Sequence, residues 1–131
     1  MIGLGTDVLV QFLVRDDQDR FDRIQNLIQR GAQAGAPALV SHLVLLETEW
    51  VLRSRYKLGK AEILDAFSDL MNAVDLSFEE EHAVEQALFS WRNSSAQFAD
   101  CLIGARHGTL GCTATASFDA DATKLPGFIA I

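Results

Sequence analysis

Short apolar runs recur along this chain, and helix-length segments separate most of them. The runs are IGL (2–4), PALVS (37–41), DLSF (75–78), CTATASFD (112–119) and FIAI (128–131). Only the last two are close, joined by a turn containing Pro126-Gly127. Two-residue hairpins cannot connect strands so far apart, whereas helical crossovers connect parallel strands at this spacing. The order therefore predicts a mostly parallel sheet with helices on both faces. In such folds ligands bind beyond the carboxyl ends of the strands, so the residues there carry most of the functional information.

The intervening segments show helical periodicity. Phe21, Ile24, Leu27 and Ile28 form one stripe, and Ile63, Leu64, Phe67, Leu70, Met71 and Val74 another. HLVLLETEWVLRSRYK (42–57) reads as a strongly apolar helix after Ser41, a good N-cap. EEEHAVEQALFSWRNS begins acidic and ends near Arg92, with Val84, Ala87, Leu88 and Trp91 inward. SAQFADCLIGARHG (95–108) is a further helix, stopped by Gly108 and Gly111. VLVQFLV fits either a strand or a helical face, with Thr6 or Asp7 as the cap if it is helical.

The 131 residues are expected to form one domain over 1–131, and 49% hydrophobic content favours a packed core over disorder. A net charge of −7 argues against gripping nucleic acid by bulk charge. Cys101 and Cys112 show no CxxC spacing, which fits a reducing compartment and not a zinc site. The start lacks a basic leader, and no apolar run approaches the ~18–20 residues that span a bilayer. A cytoplasmic protein without a membrane segment is expected.

Several carboxylates stand without a cation along their own helix. Glu47 has Leu43, Val44, Trp50 and Val51 at the neighbouring helical spacings, which puts it in a buried-looking stripe. The plain reading is an acid at the core's rim, bonded to a backbone or hydroxyl group. Glu49 differs, since Arg53 stands at i+4. Asp100 opens a helix among Ala96, Gln97, Ile103 and Gly104, and reads singly as a solvated first-turn aspartate. Asp119 ends the strand TATASFD and reads singly as an Asx turn. Together these acids need a cation, and Mg²⁺ or Mn²⁺ takes such oxygen ligands along with waters and substrate phosphates.

GLGTDVLVQFLVRDD, LLETEWVLRSRYKL, FADCLIGARH and SFDADATKLPG also carry a resemblance. Their order and spacing resemble PIN-domain proteins, and more closely the VapC toxins of toxin–antitoxin pairs. The resemblance covers nearly the whole chain. It implies a three-layer α/β/α fold with a four- to five-stranded mostly parallel sheet flanked by helices. It implies a magnesium-dependent endoribonuclease, usually a homodimer, inhibited by a VapB-like antitoxin. Glu47, Asp100 and Asp119 match the family's later acids, and Ser117 its accompanying hydroxyl. The family usually reads Asp-Thr-Asn where this chain reads Gly5-Thr6-Asp7. Two readings stay open: Asp7 reaches the metal from two residues along, or the domain is weakened or inactive and keeps a role in binding RNA or a protein.

Arg53, Arg55 and Lys57 surround Tyr56, as RNA-backbone contacts do, although a solvated helix end reads the same way. With Thr6 and Ser117 they complete the candidate substrate-binding set. Trp50 and Trp91 fall on apolar stripes and read as core or interface residues. His42, His82 and His107 show no metal-ligand spacing and read as surface or helix-end residues.

Overall fold

A computed structural model describes residues 1–131. Six helices and four strands follow in the order α1 (Thr6–Val14), α2 (Gln18–Gln33), β1 (Ala38–Val40), α3 (His42–Ser54), α4 (Lys60–Met71), β2 (Leu76–Phe78), α5 (Glu81–Arg92), α6 (Phe98–Thr109), β3 (Thr115–Ser117) and β4 (Phe128–Ala130), with a 3₁₀ turn at Ala122–Lys124. The expected mixed α/β architecture with parallel strands is present. The chain forms two compact units, Met1–Glu79 and Glu80–Ile131.

In the first unit β1 pairs with β2 in parallel, Ala38 opposite Leu76 and Val40 opposite Phe78. The IGL run adds only a single bridge, Gly3 to Leu39. In the second unit β3 pairs with β4, Thr115 opposite Phe128 and Ser117 opposite Ala130. Each regular ladder is thus two strands wide and three residues long, and both are parallel, as the expected fold requires. Such short strands offer few backbone hydrogen bonds, and burial of helix faces supplies most of the packing.

The ambiguous VLVQFLV segment is helical, with Leu9 and Val10 buried. Its cap is neither Thr6 nor Asp7. Gly5 holds the N-cap position in extended conformation, with no side chain to bond the free amides. Asp7 sits inside the first turn, where its Oδ1 accepts the Val8 N–H at 2.9 Å. Asp17 caps α2 through the Arg20 N–H, which the sequence reading does not name, and Ser41 caps α3 through the Val44 N–H as expected. In α4 Ile63, Leu64, Phe67 and Leu70 are buried, while Val74 lies beyond the helix and is exposed.

The inner face of α3 differs from the expected one. His42, Leu45, Thr48, Glu49 and Leu52 are buried, whereas Leu43 is 77% and Trp50 53% exposed. Glu47 therefore lies on the outer face and not in a buried stripe. The helix is apolar nearly all round, so periodicity alone does not select its inner side. Glu49 is the buried acid, and Arg53 Nε donates to its Oε2 at 2.8 Å. Thr48 is fully buried with its hydroxyl unpaired, as are both ring nitrogens of buried His42. Thr48→Val removes an unsatisfied hydroxyl at constant shape. It should raise stability by about 1 kcal/mol, read as a higher urea midpoint at unchanged slope.

In the second unit α5 buries Ala83, Val84, Ala87, Leu88 and Trp91. Trp91 meets Phe98 of α6 at 5.1 Å between ring centroids. α6 starts at Phe98, three residues later than its expected start, and runs through Gly108 to Thr109. Gly104 lets α6 approach β4 closely: a Cβ there stands 2.4 Å from Cε1 of Phe128. Gly104→Val should cost about 2 kcal/mol through overpacking, and Phe128→Ala in the same chain should relieve most of the cost. A double-mutant cycle by urea unfolding measures both.

Candidate active site

The candidate residues fall into one set in each unit. In the first, Thr6 and Asp7 open α1 and Glu47 stands on the outer face of α3. The Thr6 hydroxyl donates a hydrogen bond to Glu47 Oε1. Glu47 thus makes the hydroxyl contact expected of it, but at an exposed position. Thr6, Asp7 and Glu47 line one groove of about 470 Å³, together with Arg20, Trp50, Arg55 and Tyr56. Gly5 contributes no donor atom, and its extended backbone (φ −77°, ψ 164°) is open to any residue type.

The basic cluster after Trp50 divides. Arg55 faces the groove and is exposed. Arg53 is engaged by Glu49, whose hydrogen bond and charge raise the guanidinium's pKa. Lys57 has left-handed backbone (φ 56°), is exposed, and does not line the groove. Arg20 and Trp50 were not marked as binding residues by the sequence. Arg20 reaches the groove from α2, a placement that spacing along one helix cannot reveal.

In the second unit Asp100 lies in the first turn of α6 and Asp119 follows β3. Asp119 Oδ1 accepts the Ala122 N–H at 2.8 Å, forming the expected Asx-type turn. Its own N–H donates to Ser117 Oγ at 3.0 Å, leaving the Ser117 proton free to donate elsewhere. Asp100 is half-buried, and its pKa is raised by burial first and by the Asp119 charge second. A helix N-terminus favours a charged acid, so here desolvation and repulsion outweigh the dipole. Lys124, in the turn after β3, pairs with Asp121, its Nζ 3.7 Å from Oδ1.

His82 is exposed and 3.7 Å from Glu85, and His107 Nδ1 lies 2.8 Å from the Thr115 hydroxyl. Neither approaches the acids named above as an ion-pair partner. Cys101 is buried and Cys112 exposed, and both are free.

The PIN domain family model matches residues 4–127, nearly the entire chain. The chain belongs to the PIN domain family. No curated protein and no solved structure matches it. PIN domains are generally nucleases, which makes this a nuclease-type domain, and membership of the family points to RNA binding. PIN nucleases typically use divalent metals. No three His, Cys, Asp or Glu side chains form a ready metal-holding group. Each unit instead supplies a pair of acids, Asp7 with Glu47 and Asp100 with Asp119. Mg²⁺ commonly takes only one or two carboxylates, the remainder being water and phosphate oxygens. The oxygen-only donors and the mutual repulsion of Asp100 and Asp119 fit such an ion. No helix is long and apolar enough to cross a membrane.

Proposed function

We propose that this PIN domain is a VapC-type endoribonuclease that hydrolyses RNA phosphodiester bonds with Mg²⁺ or Mn²⁺. The observation that carries the reading is the Asp100–Asp119 pair: burial and then the Asp119 charge raise the Asp100 pKa, and no Lys or Arg ion-pairs with either acid. A divalent ion supplies activation of water and stabilisation of the leaving oxygen. Asp100 and Asp119 would hold it through carboxylate oxygens, and Asp119 is oriented by the Ala122 N–H. Within the first unit, Glu47 and Asp7 are the candidate acidic donors. The Thr6 hydroxyl fixes Glu47, and the Val8 N–H occupies one oxygen of Asp7, leaving the other for a ligand. Ser117 holds the Asp119 backbone and can donate its proton to a phosphate oxygen. A single domain over 1–131, a cytoplasmic setting, a homodimer and a VapB-like antitoxin complete the proposal, on the strength of the VapC resemblance.

Gly5 favours a second reading. Without a carboxylate at that position the domain is weakened or inactive and binds RNA or a protein instead. Incubation with structured RNA and Mg²⁺ or Mn²⁺ separates the two. Cleavage that chelation abolishes and Asp100→Ala removes supports the nuclease. Equal cleavage by both proteins identifies a contaminant and sinks it.

A further inference from the structure

Resting on the ribonuclease reading, we infer that the groove beside α3 is a platform for single-stranded RNA, on which Trp50 and Tyr56 stack bases and Arg20 and Arg55 hold phosphates. Trp50 is a large indole, 53% exposed, on a helix whose inner face is filled by other residues. Exposed aromatic rings interleaved with guanidinium groups are what single strands bind, because every base has a stacking face and every linkage a charge.

The groove has a direction. Glu47 stands at its acidic part, Trp50 one turn further along α3, and Arg55 and Tyr56 at the helix end. From Glu47 to Ser54 the helix rises about 10 Å, close to three stacked nucleotides at 3.4 Å each. A strand laid along it meets Arg55 and the two rings toward the end of α3 and the acids at the other end, where Arg20 also borders Asp7. Arg55 makes no ion pair. Arg20, itself exposed, pairs only with half-buried Asp17, at 3.5 Å, a contact that a phosphate can replace at little cost. The Tyr56 hydroxyl reaches Asp16 at 3.4 Å, which steadies the ring without covering it. A duplex hides its base faces and cannot use the two rings, so the platform selects single strands.

Binding is measurable without cleavage. A six-nucleotide single-stranded RNA is titrated into the full chain with divalent ions chelated, following tryptophan fluorescence. The chain has two tryptophans, and Trp91 is buried, so quenching reports Trp50. Quenching is expected, with Trp50→Ala weakening affinity about tenfold by anisotropy. Arg55→Gln should lower the slope of log K against log salt by about one. Both positions are exposed, and unchanged circular dichroism and melting confirm that the variants fold.

No binding, equal affinity for the same sequence as duplex, or unchanged affinity in Trp50→Ala overturns the platform. So does a dimer by sedimentation that Trp50→Ala dissociates while RNA affinity is unaltered, since the face then belongs to a second copy. Failure of the nuclease reading shows separately, as cleavage indifferent to Asp100→Ala.

Discussion

Asp100→Asn is expected to lose at least about a hundredfold in metal-dependent cleavage while making the metal-free protein more stable at neutral pH. The activity loss follows from removing a metal donor, where even indirect partners of metal ligands are worth about 10–100-fold. The stability gain follows from the site itself. Burial and the Asp119 charge raise the Asp100 pKa in the folded state, so the folded chain binds more protons than the unfolded chain in the window between the two pKa values. Stability therefore falls as pH rises through that window. The penalty is complete above the folded pKa and absent below the unfolded value, near that of an ordinary aspartate. Asparagine carries no such penalty. Urea unfolding with chelator should place Asp100→Asn above the parent at pH 7 and level with it once both acids are protonated. Adding Mg²⁺ should raise the parent's midpoint through binding to the native state and leave the variant's nearly unmoved. A variant less stable than the parent at pH 7 overturns this account of Asp100.

The same residues show how far the sequence could be read. The alternation of apolar runs and helical stripes was enough for an α/β fold with parallel strands, because crossover length leaves few other topologies. Strand bounds were not legible, since a three-residue ladder such as Thr115–Ser117, within the expected 112–119, leaves little periodicity to count. The α3 face was misjudged for a related reason. Leu43, Val44, Trp50 and Val51 are apolar, yet the buried side carries His42, Thr48 and Glu49. Hydropathy treats a buried ion-paired Glu49 as a surface residue and an exposed Trp50 as core. Only the i+4 spacing to Arg53 indicated that Glu49 had a partner. The place of Asp119 just after β3 was legible because the TATASFD run ends there, and parallel topology makes such a position one to examine for ligands. The groove was not, because it joins α1, α2 and α3 through residues far apart in the chain.

Gly5→Asp is expected to raise Mg²⁺-dependent cleavage by an order of magnitude or more. The N-cap backbone at Gly5 is extended, so an aspartate adds no backbone strain, and the Asp7 side chain shifts by a few tenths of an ångström to admit its Cβ. There its carboxylate can also accept a free amide of α1, a place where Asp ranks with the best caps. A Cβ at this position lies 3.1 Å from Asp7 Oδ1, which sets the new acid beside Asp7. Two carboxylates this close repel, and a cation relieves the repulsion. The gain should thus need the metal: in chelator, capping and repulsion offset one another and the melting temperature changes little. In Mg²⁺ the variant should melt above the parent. Asp7→Asn in the parent background completes the test. If Asp7 stands in for the missing acid, that change removes the remaining cleavage, while Gly5→Asp with Asp7→Asn restores it. If Asp7→Asn leaves cleavage unchanged, Asp7 is only a first-turn residue holding the Val8 amide, and the remaining activity belongs to the other three acids.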